Sequence, residues 1–230
     1  ADNPPQPTYH RCREKSGLDR LGRSARHVAQ VGAAIGREFP HDLLAAVADL
    51  REPELTVAMG QLISAGLLFA REGGSAPGYH FKHALVRDVA YGTLLRDRRR
   101  SIHAGLAQAL ERHFPDTAPE VSAHHWTEAG EIRNALNFWL EAGRRAADRS
   151  ADREAVGHLR RGLDLLEGLP AGEGRDRREL DFQLAIGTPL IAVHGWSGQP
   201  VAAAYERASE VCERLGENSQ LVTTLFGFAS

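Results

Sequence analysis

The chain has 230 residues, 42% of them apolar, enough to bury the core of one ordinary domain or two small ones and too many for disorder along the whole length. Its 28 basic and 30 acidic side chains leave a formal net charge of −2, without the basic excess that binding to a phosphate backbone normally demands. Cys12 and Cys212 fit no metal or disulfide spacing and suit a reducing cytoplasm, no apolar run approaches the roughly 18 residues of a membrane span, and the start lacks the order of a signal peptide.

Only Lys15 and Lys82 are lysines, so 26 of the 28 basic residues are arginines. With abundant Ala and Gly, this reads as a GC-rich coding sequence rather than a nucleic-acid signature. The single methionine is Met59, so the chain is expected to be a processed product or a piece of a longer protein.

Residues 1–16 contain Pro4, Pro5 and Pro7 and a mixed-charge run without apolar period, and read as a tail or linker. From Leu18 the pattern turns helical, with Leu21, Ala25, Val28, Ala29 and Ile35 at three- and four-residue steps until Gly36, and Pro40 breaks the run. A short helix over 41–50 carries Leu43, Leu44 and Val47. A third, over 54–65, puts Leu55, Ala58, Met59, Leu62 and Ile63 on one face between Pro53 and Gly66. Then the period shifts. Residues 67–71 and 79–82 are β-prone and flank a Gly-rich turn over 72–78, a two-stranded hairpin that is the only β signal in the chain. Three helices and then a hairpin give the element order of a winged helix.

Beyond the hairpin the pattern is helical over 83–95, 98–114, 119–129, 132–148, 152–167, 175–187 and 199–215, with linkers at 168–174 and 194–200. The apolar, uncapped run at 221–229 resembles a helix cut in its middle. Gly130 followed by Ala135, Trp139 and Ala142 matches the turn glycine and small-large-small triplet of a tetratricopeptide unit, and Ala155, Leu159 and Gly162 repeat the triplet 20 residues later. A second register, Trp139, Ala142 and Gly143 with Ala155, Leu159, Gly162 and Pro170, fits as well. Either stacks antiparallel helix pairs into a solenoid, because each pair alone leaves an apolar face uncovered.

Sites of chemistry are few. The stretch from Gly32 to Arg37 lacks the spacing of a phosphate-binding loop, and its small residues fit close helix packing better. Gln199 stands where a nucleophile elbow at His194-Gly195-Trp196-Ser197-Gly198 would need its second glycine. His124 and His125 point about 100° apart on a helix, and no Cys or carboxylate set completes a four-ligand site with them or with His80 and His83. No catalytic or metal-binding set emerges. The run Arg96, Arg98, Arg99 and Arg100 lies after the winged-helix pattern, where residues 51–100 hold eight basic against five acidic side chains. That local excess is able to meet phosphates. The plainer reading is a solvated helix start, and the third helix offers Glu54, Thr56, Gln61 and Ser64 as readers but no base.

Three stretches carry a family likeness: Ala29-Gln30-Val31-Gly32-Ala33-Ala34-Ile35-Gly36-Arg37-Glu38-Phe39, residues 81–95, and Ala123-His124-His125-Trp126-Thr127-Glu128-Ala129-Gly130. Together they resemble large bacterial signalling proteins in which a class III adenylate/guanylate cyclase domain, or a DNA-binding domain, precedes a STAND-type ATPase and a tetratricopeptide-like tail. The resemblance implies a segment that runs from the winged-helix part of the ATPase module into the helical repeats, with the cyclase domain and phosphate-binding loop upstream. In such ATPases a histidine at the hairpin-to-helix junction touches the β-phosphate of bound ADP, and the matching position is His83, followed by Leu85-Val86-Arg87-Asp88 and flanked atypically by Lys82 and Ala84. An imidazole there is able to bond a phosphate near neutral pH and release it on opening.

The expected fold is therefore mainly α: a tail over 1–17, a winged-helix unit with a short β-hairpin over 18–98, and an α-solenoid of tetratricopeptide-like helical hairpins over 99–230. The expected role is a cytoplasmic, non-catalytic regulatory segment. Its solenoid's concave face would bind a protein or peptide, its partner in cis would be the upstream ATPase domain, and ATP or ADP would belong to the full-length parent rather than to this chain. The alternative is a DNA-binding regulator using the winged helix and Arg96, Arg98, Arg99 and Arg100.

Overall fold

Seven of the thirteen residues of α1 (Arg23–Ile35) are buried, among them Ala25, Val28, Ala29, Val31 and Gly32, so this helix is the axis about which the first part of the chain packs. The computed structural model describes Leu18, residues 20–71 and residues 77–217, and the chain divides after Pro115 into two compact units. The expected tail at 1–17, the loop residues 72–76 and the apolar run at 221–229 lie outside the described residues.

In the first unit α1 leads into strand β1 (Glu38–Pro40), then α2 (His41–Ala48), α3 (Glu52–Ser64), β2 (Leu68–Arg71), β3 (Gly78–Phe81), α4 (Ala84–Gly92) and α5 (Arg96–His113). The strands form one antiparallel sheet in the order β1-β3-β2, with Phe39 opposite Tyr79 and Leu68 opposite Phe81. This is a winged-helix order with one strand more than the hairpin. Strand β1 escaped the sequence pattern because three residues cannot display a period of two, and Pro40 reads as a breaker. At the sheet edge its missing N–H costs no ladder bond. The helical run expected from Leu18 is interrupted: Leu18 is helical and buried against the same core, but Arg20 lies in a turn and α1 begins only at Arg23 after Gly22. Ile63, expected inside, is 38% exposed.

Helix α5 corrects the expected boundary at 98. It packs on α2 and α1, burying Ile102, Leu106, Ala109 and Leu110 in the first unit's core, so that unit extends to Pro115. The apolar face of this helix is a local pattern, but which unit it packs against is not.

The second unit is a succession of helices, α6 (Pro119–Ala129), α7 (Ile132–Asp148), α8 (Asp152–Leu166), α9 (Glu173–His194) and α10 (Gln199–Leu215), each packed on its sequence neighbour, with α9 reaching back to α7 as well. This is a solenoid-like arrangement of helical hairpins. Gly130 closes α6 with φ +79, a left-handed turn that a side chain would strain. The Trp139 indole N–H donates to the Thr127 hydroxyl at 3.0 Å, tying α7 to α6, while its ring stacks on His158 of α8 with centroids 5.5 Å apart. Helix α9 runs to His194, beyond the expected end near Gly187. Gly187 and Pro189 are both buried, and packing against neighbours outweighs the backbone bond that Pro189 removes.

The small-large-small pattern takes physical form at two crossings. A Cβ on Gly143 of α7 would overlap the Leu159 side chain of α8, and one on Gly162 of α8 would overlap the ring of Phe182 in α9, itself fully buried. Gly157, in the exposed middle of α8, faces open space. Gly162→Ala is therefore expected to destabilise the second unit by about 1–3 kcal/mol through overpacking. Gly157→Ala is expected to stabilise it by about 0.5–1 kcal/mol through helix propensity. All three tryptophans, Trp126, Trp139 and Trp196, belong to this unit, so urea unfolding followed by tryptophan fluorescence reads both changes. Shifts of the same sign would contradict the packing described.

Candidate functional site

His83 occupies the junction between β3 and α4, at the N-cap with extended backbone (φ −135, ψ 142), and its side chain is exposed and makes no capping bond to the helix. No hydrogen bond engages the imidazole among the described residues. Lys82 beside it is exposed and holds its ammonium 5.8 Å from the Phe69 ring centroid.

Arg96, Arg99 and Arg100, at i, i+3 and i+4, share one side of α5, whereas Arg98 points to the other. Arg96 and Arg100 are exposed. Arg99 lies with its guanidinium 4.5 Å from the Tyr91 ring centroid, its Nε buried without a hydrogen-bond partner among the described residues. Arg98 turns toward α1, its guanidinium 3.5 Å from Nδ1 and 3.4 Å from Nε2 of His27.

Arg98 thereby joins a cleft of about 550 Å³ lined by Arg23, Ser24, Arg26, His27 and Gln30 of α1 and by Leu50. His27 Nε2 lies 2.9 Å from the Ala48 carbonyl and donates to it. Burial holds the imidazole below its ordinary pKa of 6.5; the Ala48 bond opposes this, Arg98 adds to it, and Asp49 opposes it. Nothing in the sequence marks this cleft, since Arg23 and Arg98 are 75 positions apart. The outer face of α3 offers exposed Glu54 and Val57, and Glu54 is engaged by Arg51 at 2.7 Å.

In the second unit α9 carries its charges on two sides. Toward α10, Asp176 pairs with Arg214 at 2.9 Å, and Glu179, buried, is held by Arg207 and lies 3.6 Å from Arg214. The hydrogen bond from Arg214 is the main reason that the Asp176 carboxyl titrates below its usual range, with Arg175 a lesser contributor. Toward α7, Arg175 and Arg178 join Arg133 around a cleft of about 390 Å³ that includes Leu136, Leu169 and Pro170. No carboxylate lines it, and these three arginines make no ion pair with any described residue. Sequence reasoning missed the cluster. The i, i+3 spacing of Arg175 and Arg178 puts them on one face, but nothing local links them to Arg133.

His124 is exposed and His125 buried, and their rings lie with centroids 5.4 Å apart, closer than their separation around α6 suggested. No helix among the described residues is long and apolar enough to cross a membrane. No protein-family model matches the chain. An uncharacterized protein of Rhizobium meliloti (strain 1021) is 29% identical to it over 222 residues, which cover 93% of this chain and 21% of that protein. The chain thus spans about a fifth of the length of this relative.

The His27 environment sets a pH dependence. The native state binds this proton less readily than the unfolded chain, so His27 contributes nothing well above pH 6.5, and stability falls as pH drops through 6.5 and the unfolded chain takes up the proton first. His27→Gln, which keeps a donor for Ala48, is expected to flatten the loss between neutral and mildly acidic pH by up to one proton, at most about 1.4 kcal/mol per pH unit. Superimposable pH profiles from urea unfolding of both proteins would contradict this.

Proposed function

We propose that the chain is a regulatory and protein-interaction segment of a multidomain bacterial signalling ATPase or nucleotide cyclase, cytoplasmic and non-catalytic by itself. The observation that carries this reading is the second unit: helical hairpins locked together by glycine fits, with an arginine-lined cleft left open on the surface. Such arrays bury their own apolar faces and leave an extended surface for a protein or peptide. That the chain corresponds to about a fifth of a much longer relative supports a segment working beside other domains.

In this reading the winged-helix unit couples partner binding to the nucleotide state of an upstream ATPase domain, with His83 as the group that reaches ADP. Its exposure at the head of α4 supports this, because an imidazole already spent on a cap or in the core could not reach a phosphate. In the longer protein carrying the ATPase module, His83→Ala is expected to weaken ADP binding about tenfold, the loss of one charge-assisted hydrogen bond, and to raise basal activity. Unchanged ADP affinity and activity would remove the sensor role.

A second reading, a winged-helix DNA binder, is favoured by the gathering of Arg23, Arg26 and Arg98 around one cleft. Against it stand the net charge of −2 and an α3 whose exposed polar residues, Glu54, Thr56, Gln61 and Ser64 among them, include no base. A mobility shift of duplex DNA with the 230-residue chain separates the two. No retarded complex is expected even at low salt, and a complex that weakens steeply as salt rises would favour the DNA binder.

A further inference from the structure

Helix α9 distributes its arginines unequally. Arg177 bonds Glu173, and the arginines that α10 brings to the helix, Arg207 and Arg214, are engaged by Glu179 and Asp176. Arg175 and Arg178, one turn apart, project instead into the cleft shared with Arg133 of α7, where no acidic side chain answers them. Three like charges around one small cavity repel each other, and an anion entering from outside relieves that repulsion. The cleft also has an apolar component in Leu136, Leu169 and Pro170. We propose that this cleft binds an acidic segment of a partner protein, a stretch in which one or two Asp or Glu carboxylates stand beside an aliphatic side chain.

Each part of that ligand answers a feature of the cavity. Guanidinium groups fixed on two helices present planar, paired donors to a carboxylate, and the aliphatic neighbour covers the apolar wall. At about 390 Å³ the cavity lies at the small end of ligand sites, room for a side chain or two. A nucleic acid is disfavoured. Residues 116–217 carry 12 arginines against 18 carboxylates, a net charge of −6, so a polyanion meets repulsion beyond the cleft that a short acidic peptide escapes. The inference rests on the interaction reading above and names the partner chemistry of that same unit.

The test uses the 230-residue chain and a short fluorescein-labelled peptide alternating Glu with Leu, its Gln and Lys counterparts, and labelled duplex DNA, with binding read by anisotropy at low and physiological salt. The Glu peptide is expected to bind and its counterparts not to. The double substitution Arg133→Glu and Arg178→Glu is expected to weaken that binding by at least about tenfold, while the charge-matched control Arg144→Glu and Arg153→Glu, at exposed positions away from the cleft, leaves it largely intact. Should the cleft variant fail to fold, amide exchange on the unaltered chain decides, with slowed exchange over 169–178 expected on adding the Glu peptide. Equal binding of that peptide by both double variants, or slowed exchange confined to other segments, would overturn the cleft assignment and leave the interaction reading standing, whereas preference for duplex DNA would overturn the assignment and favour the DNA-binding reading instead. Failure of all three peptides to bind would overturn the cleft assignment and count against the interaction reading too.

Discussion

Close approach between elements, made possible where a glycine faces a large side chain, is the constraint on which both units depend. In the second unit Gly143 admits Leu159 and Gly162 admits Phe182, so α7, α8 and α9 sit at separations that any Cβ would increase. In the first unit Gly32 of α1 faces Phe39 of β1, where an added Cβ would lie 2.7 Å from the ring. Protein interiors are packed to near-crystalline density, so a helix pushed outward at one crossing loses dispersion contacts along its whole length. The positions of Trp139, of the α9 arginines and of the sheet that carries His83 all follow from these contacts.

On this frame electrostatics divides the surface of α9. Asp176 and Glu179 face α10, where Glu179 is buried and tolerable only because Arg207 and Arg214 surround it. Arg175 and Arg178 are left to the α7 side. One helix thus serves as a structural ion-pair rib on one face and as half of a positively charged cleft on the other. The two roles lie side by side rather than opposite, since Arg175 and Arg178 each point about 100° away from the acid that follows them, and Arg175 still adds to the field that lowers Asp176.

Much of the fold was legible in the residues. The three- and four-residue apolar steps placed nearly every helix, and Pro53, Gly66 and Gly130 marked ends that the structure keeps. The glycine and small-residue pattern around Trp139 and Leu159 pointed to stacked hairpins. What it left open was the partner of each glycine. Gly32 looked like a helix-packing residue and in fact receives a phenylalanine from a strand too short to have a period. The expected boundary at 98 counts helix α5 with the repeat array, yet its buried face belongs to the first unit.

The candidate sites divide in the same way. His83 was readable as a junction residue, since the change from strand to helix period is a local signal. The grouping of Arg98 with Arg23 and His27, and of Arg133 with Arg175 and Arg178, was not, because a cleft is formed by residues that sequence separates by tens of positions. By itself the sequence determined the helical class, the winged-helix order and the small-residue crossings, all of which follow from steric and periodic rules acting within a few residues. Only the tertiary structure decided that β1 completes a sheet, that α5 closes the first unit, and which arginines are neutralised and which are left to face a cleft. Those outcomes depend on long-range packing, which brings charges together or holds them apart regardless of their place in the chain.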